Sequence, residues 1–390
     1  MKKYDVVIVG GGAAGLACAV NIKKLNKALS VIVIDAGERL GKKLASTGNG
    51  QGNVTNVDMK SCKYFGGNRQ LVGDITCSTQ ALQTEKKLFH CILSADERGR
   101  VYPSGRQASS LVDSLNMDIK RLNIDVMLNT KVVDIDKGFT LHLSDGQKIS
   151  SNYVVLACGG KAQKQYKTDG SSYALAQKFG HKLTTLYPSL VQLKTQTDYT
   201  KQLKGIRVDC VVSAICGGQC IAQKRGDVIF TDYGLSGNAI FEISPYVVDK
   251  QDVTISLHFL PDEDESIARD IKAKKQLGYE DGQLLSGTLH NQVGRAIIKR
   301  CGSGDVSAIC DMLKNFTLKV TGNLGFDYAQ VTKGGIDMKD ITDELESKLI
   351  SNLFFAGEVV DVDGECGGYN LHWAFTSGER VAQTIAKRYD

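Results

Sequence analysis

An α/β fold is what three stretches of this 390-residue sequence predict. Residues 4–9 form an apolar, largely β-branched strand that runs straight into Gly10-Gly11-Gly12-Ala13-Ala14-Gly15 and then into a helix-like stretch to about Lys27. A second strand, residues 30–34, ends in Asp35, twenty residues beyond Gly15. Far downstream, residues 353–358 read as a further strand ending in Gly357-Glu358. A glycine motif alone is common. Strand, motif, helix and a second strand closed by an acid, in that order, specify a Rossmann-type domain that holds a dinucleotide.

Each part of the first unit has a physical task. Gly10 makes the tight turn, Gly12 lets the backbone approach a pyrophosphate, and Gly15 allows the helix to pack closely on the strand. Ala13 and Ala14 open that helix, whose free N–H groups and partial positive charge of roughly half a unit favour phosphate. Asp35 is placed to bind both ribose hydroxyls, and its charge disfavours a 2′-phosphate.

This fingerprint fits NAD as well as FAD, and two distant segments decide for FAD. Residues 153–160, Tyr-Val-Val-Leu-Ala-Cys-Gly-Gly, form an apolar strand ending in small residues after a β-meander from Asp125 through Lys148. In two-dinucleotide-fold flavoproteins a similar strand returns to the sheet and passes its small residues, here Ala157 and Gly159, close to the cofactor. The strand ending in Gly357-Glu358 is followed by Asp361, Asp363, Gly364 and Gly367-Gly368-Tyr369-Asn370, and then by a helix with apolar periodicity through Ala386. In FAD-binding folds the acid of such a strand holds a ribityl hydroxyl, and the helix start faces the flavin N1–C2=O edge, where negative charge collects on reduction. A protein that binds NAD alone has no use for this second arrangement.

Length and composition, 42% apolar and 23% charged, predict a folded chain of two or three domains. The net charge of +5 is spread along the sequence without a basic run, which argues against nucleic acid as a partner. Eleven cysteines in irregular spacing point to a reducing interior. Cys210, Cys216 and Cys220 lack the spacing of a metal site, and Gly217-Gly218 between two β-branched runs reads as a hairpin turn, so no metal is expected. Lys2-Lys3 before an apolar stretch imitates a secretion signal, but Asp5 and three consecutive glycines interrupt it, and the stretch is too short and polar to span a bilayer. A cytoplasmic protein without a membrane partner is expected.

Several segments resemble the BaiN and aminoacetone oxidase family of FAD-dependent flavoproteins along almost the whole chain. They are Gly41-Lys42-Lys43-Leu44 with Thr47-Gly48-Asn49-Gly50, Gly99-Arg100-Val101-Tyr102-Pro103, Phe230 through Gly237, Gln330-Val331-Thr332 with Gly334-Gly335, Glu346-Ser347-Lys348, and the closing stretch from Ala356 to Gly378. The resemblance implies an FAD domain that is discontinuous in sequence, residues 1–190 plus 326–390. A mainly β insert, 191–261 with 315–325, would form a substrate domain, and 262–314 a small helical subdomain. The chain agrees in pattern, being β-rich to about Leu260 and helix-like from Asp262 to about Lys314. The expected FAD contacts are Gly10, Gly12, Ala13, Ala14, Gly15, Asp35, Lys42, Lys43, Gly48, Asn49, Gly50, Asn53, Val132, Ala157, Gly159, Gly357, Glu358, Asp361, Gly368, Asn370 and Leu371. Three departures stand out: Gln51-Gly52 replaces the family's Arg-Cys, Asn238 replaces a proline, and His372 replaces a glutamine.

His372 and Tyr369 flank the expected flavin edge and are the candidates for proton donor or orienter. Cys366 has no Cys-x-x-Cys partner, which disfavours disulfide chemistry. With one dinucleotide fingerprint only, NAD(P)H would bind transiently. The resemblance implies an NAD(P)H-dependent reductase of a C=C bond in a hydrophobic small molecule of the bile-acid or steroid-enone kind. An amine oxidase releasing hydrogen peroxide, and a flavin-holding protein without turnover, are the alternatives.

Overall fold

The computed structural model describes residues 1–77, 81–302 and 304–389. It divides into two compact units, Met1–Tyr187 with Val331–Asp390, and Pro188–Gln330.

In the first unit, four strands lie parallel in the order Asp125–Met127, Val31–Ile34, Lys2–Val9 and Lys148–Leu156. The side chains of Val6, Val7, Ile8, Val33 and Val154 are fully buried, as expected for a parallel sheet covered on both faces. Strand Lys148–Leu156 forks. Its first half pairs antiparallel with Thr140–Leu143, whereas its second half pairs parallel with Leu353–Phe355, Leu156 opposite Phe355. The C-terminal segment thus joins the sheet beside the strand that ends at Leu156. The helices Ala13–Leu25 and Tyr369–Tyr389 contribute to the core around this sheet through Leu16, Ala17, Trp373 and Phe375.

The second unit is built on a closed barrel in the order Leu193–Thr195, Gly234–Ser236, Gln219–Phe230, Arg207–Cys216, Val253–Phe259, Phe316–Asn323. Closure pairs the last strand with the first and removes the sheet edges. Arg207–Cys216 and Gln219–Phe230 form the hairpin that turns on Gly217-Gly218, where both φ angles are positive. Three helices follow in the segment expected as a subdomain: Asp264–Gln276, Asn291–Cys301 and Val306–Lys314. They do not form a core of their own. Ile271, Ile297 and Leu313 share one hydrophobic cluster with Phe259 and Phe316 of the barrel, because amphipathic helices of this length need an outside surface on which to bury their apolar side.

Among the described residues no helix is long and apolar enough to cross a membrane, and all eleven cysteines are free.

Candidate flavin site

The glycine turn closes on steric grounds alone. Gly10 has φ +111, and a Cβ there would lie 2.5 Å from the Ala157 carbonyl oxygen, so the strand ends of residues 9 and 157 meet only around a glycine. A Cβ on Gly15 would lie 1.9 Å from the carbonyl oxygen of Gly10. At Gly12 the opposite holds, since nothing approaches the Cβ position within 4 Å. Gly12 is also the N-cap of the first helix and supplies no side-chain cap. The first-turn N–H groups therefore open onto clear space, which is the cradle a pyrophosphate needs.

Asp35 is oriented by that same turn. Its Oδ2 accepts the Gly11 N–H at 2.6 Å and its Oδ1 accepts the Gly37 N–H at 2.6 Å. Each carboxylate oxygen keeps a lone pair, so two vicinal ribose hydroxyls fit the donor set. The Asp35 backbone carbonyl accepts from Thr130, two residues before Val132, which brings the meander beside the ribose end. Cys158 donates to the Val9 carbonyl at 3.1 Å, and burial pushes its thiol up to about 12.

Residues 41–53 form a loop of turns anchored at both ends. Gly41 N–H donates to Gly11 O, and Gly48, Asn49 and Gly50 all have positive φ. Asn53 spends both amide protons on the Thr55 and Val101 carbonyls, at 3.1 and 3.0 Å. It holds the loop in place and has only its oxygen left for a ligand. The two lysines separate: Lys42 pairs with Glu38 at 3.1 Å, whereas Lys43 pairs with Glu358 at 2.9 Å. Glu358 Oε1 also accepts the Thr332 N–H at 2.9 Å.

Gly357 is clamped by the C-terminal helix, donating to Ser377 Oγ at 2.9 Å and accepting from Trp373 Nε1 at 3.0 Å. Asn370 locks Gly364 in the same way, with both contacts at 2.8 Å. Burial raises the Asp361 carboxyl despite a hydrogen bond from Thr184. Tyr173, absent from the sequence reading, has a buried hydroxyl with no hydrogen-bond partner among the described residues. Burial, and after it Glu358 and Asp361, raise its phenol. Nothing in its helical stretch marks it beforehand.

The two candidates for proton donor or orienter are both buried, His372 fully and Tyr369 to 4% exposure. The Tyr369 hydroxyl is committed to the Asp58 carbonyl at 3.1 Å. His372 lies one residue past the accessible face of the helix start and turns inward to Thr55, Glu85 and Thr76. The residues that do present surface are Cys366, Gly367, Gly368, Asn370 and Leu371. Beside them stands Arg100: a Cβ on Gly367 would lie 3.9 Å from its Cγ, and Asn56 holds the Gly367 carbonyl at 3.1 Å. Arg100 is steadied by Asp96 through Nε at 2.8 Å and Nη2 at 2.7 Å. Arg106 stacks over Tyr102 at 4.0 Å, and the Ala108 N–H nearby donates to Gly50. A cation is thus present near the loop that lacks one at Gln51, but it comes from a different segment.

Strand, open helix start, oriented acid and a second strand ending in a clamped Gly-Glu define an FAD-dependent oxidoreductase. The chain matches the HI0933-like protein Rossmann domain family over residues 4–384, and it belongs to that family. It is 31% identical over 407 aligned positions to a 3-dehydro-bile acid delta(4,6)-reductase of Clostridium scindens, covering 98% of both chains. It is 28% identical to a ribosomal RNA dihydrouridine synthase of Haemophilus influenzae, covering both chains completely. A flavocytochrome c3 fumarate reductase shares the fold, with TM-score 0.52 and 18% identity over 99% of this chain and 78% of that one.

Proposed function

We propose that this protein is an NAD(P)H-dependent reductase of a carbon–carbon double bond conjugated to a carbonyl, in a hydrophobic small molecule of the steroid-enone or bile-acid kind. The observation that carries this reading is the similarity, along 98% of the chain, to a relative named for reducing bile-acid double bonds. FAD, when bound, supplies hydride transfer between the nicotinamide and the substrate. Gly12 and the first-turn N–H groups hold the pyrophosphate, Asp35 the ribose, and Lys43 with Glu358 the middle of the cofactor.

Arg100 is the chain's own contribution to the chemistry. Its side chain is about one-third exposed and passes beside Gly367, and Asp96 fixes the guanidinium. There it can hold the negative charge that develops on a substrate carbonyl oxygen as hydride reaches the far carbon of the double bond. The dihydrouridine relatives act on an RNA base whose double bond is also conjugated to a carbonyl, so the bond chemistry is shared. A small molecule is favoured because the bile-acid relative shares the higher identity, 31% against 28%, and because Lys204 and Arg225 of the barrel unit are paired with Asp232 and Asp262.

Turnover of a panel tests this. With NADPH or NADH, a conjugated steroid dienone should gain two hydrogens by mass. Reduction of uridine in ribosomal RNA but of no steroid would overturn the substrate class, and peroxide release from small amines would overturn the direction.

A further inference from the structure

We propose that His372 and Glu85 form a buried pair sharing one proton, and that this pair sets the position of the C-terminal helix start against the flavin loop. The inference rests on FAD as cofactor and on the assigned helix start, not on the substrate. His372 Nε2 lies 3.0 Å from the Thr76 carbonyl oxygen, which can only accept, so Nε2 carries a hydrogen. Nδ1 lies 2.5 Å from Glu85 Oε1 and 2.9 Å from Thr55 Oγ1. A bare ring lone pair and a bare carboxylate would repel at that separation, so a proton lies between them. Whichever atom it sits on, the pair is neutral overall. That neutrality is what the surroundings demand, because both side chains are 0% exposed and Glu85 Oε2 has no hydrogen-bond partner among the described residues. An unpaired charge there would meet a desolvation penalty of several kcal/mol.

The pair joins four elements that meet at the cofactor end. Glu85 comes from helix Ala81–Leu88, Thr76 from the end of helix Arg69–Thr76, Thr55 from strand Thr55–Asn56, and His372 from the first turn of helix Tyr369–Tyr389. Thr55 also touches that turn by backbone: a Cβ on Gly368 would lie 2.4 Å from its carbonyl oxygen, and the His372 N–H donates to Gly368 O. Strand Thr55–Asn56 continues the loop that carries Gly48 to Asn53. The pair therefore fixes the spacing between the segment that follows the Gly48 to Asn53 loop and the start of the C-terminal helix. His372 and Glu85 are positioning residues, because neither presents surface to a ligand.

The test uses the FAD-loaded protein and no substrate, so it is independent of the substrate assignment. In Glu85→Gln the amide can still donate to Nδ1, and the midpoint potential and visible spectrum of the bound flavin should remain those of the parent. Glu85→Leu and His372→Leu break the pair and should move the potential to more negative values, with at least a tenfold loss in FAD retention. Parent-like potential and spectrum in both leucine variants would overturn the proposal. Should those variants fail to fold, nitrogen NMR of the parent decides. A protonated Nε2 together with a proton shared at Nδ1 is expected, and an unprotonated Nε2 would overturn it.

Discussion

Lys43 and Glu358 stand 315 residues apart in sequence and meet at 2.9 Å, joining the loop after the first βαβ unit to the strand end that completes the sheet. Both side chains are about one-fifth exposed, so the pair is neither a screened surface contact nor a desolvated core one. Lys43→Met leaves Glu358 with Thr332 alone. The change should cost about 1 kcal/mol in FAD affinity, roughly a fivefold rise in Kd, read by fluorescence during reconstitution of apoprotein. An unchanged Kd would make the pair a fold contact only.

Gly12 and Gly15 separate binding from folding. At Gly12 a methyl meets no protein atom, so Gly12→Ala should leave apoprotein stability within about 1 kcal/mol while weakening FAD at least tenfold. At Gly15 the same methyl would lie 1.9 Å from the Gly10 oxygen, and Gly15→Ala should lower both the melting temperature and the yield of folded protein. Equal behaviour of the two variants in apoprotein melting would contradict the geometry.

Asp35→Ala removes the acceptor for the Gly11 and Gly37 N–H groups together with the expected ribose contact. FAD retention should fall by about two orders of magnitude, near 3 kcal/mol, with little change in the spectrum of whatever flavin remains. Full FAD occupancy in the purified variant would contradict the ribose assignment.

Acid stability should depend on Asp118. Burial alone would raise its carboxyl, but hydrogen bonds from Lys24, Arg121 and His90 outweigh this and hold it down at about 2. A carboxyl lowered on folding contributes stability in full above its unfolded value, about 3.9, and loses it as pH falls through the folded value. Asp118→Asn should therefore be less stable than the parent by roughly 2 kcal/mol at neutral pH, with the difference shrinking between pH 4 and pH 2. A difference independent of pH would point to packing.

How much of this was readable beforehand follows the range of the interactions. The glycine turn, the first helix and Asp35 are local in sequence, so their spacing carries the geometry. The paired strand at Leu353–Phe355 was readable because a buried parallel strand must be apolar throughout. The neighbourhood of Arg100 and Gly367 was not, because the first residue of a short strand meets a turn there with no pattern to bring them together. The burial of His372 was not legible for a related reason. Helical periodicity gives a side chain's angle around the axis, but which side is core depended on Glu85, which is followed by exposed Lys86 and Lys87 and reads as one more surface charge. The helices after Asp264 looked separate because amphipathicity does not name the surface it packs on.

Under the proposed function electrons enter from a reduced nicotinamide and leave to a conjugated double bond, and an anaerobic visible titration of the purified holoprotein addresses both steps. NADH or NADPH should bleach the flavin band, and a steroid enone added without oxygen should restore it. Failure of both nucleotides to bleach the flavin, with bleaching by a small amine and rapid recovery in oxygen with peroxide release, would contradict it.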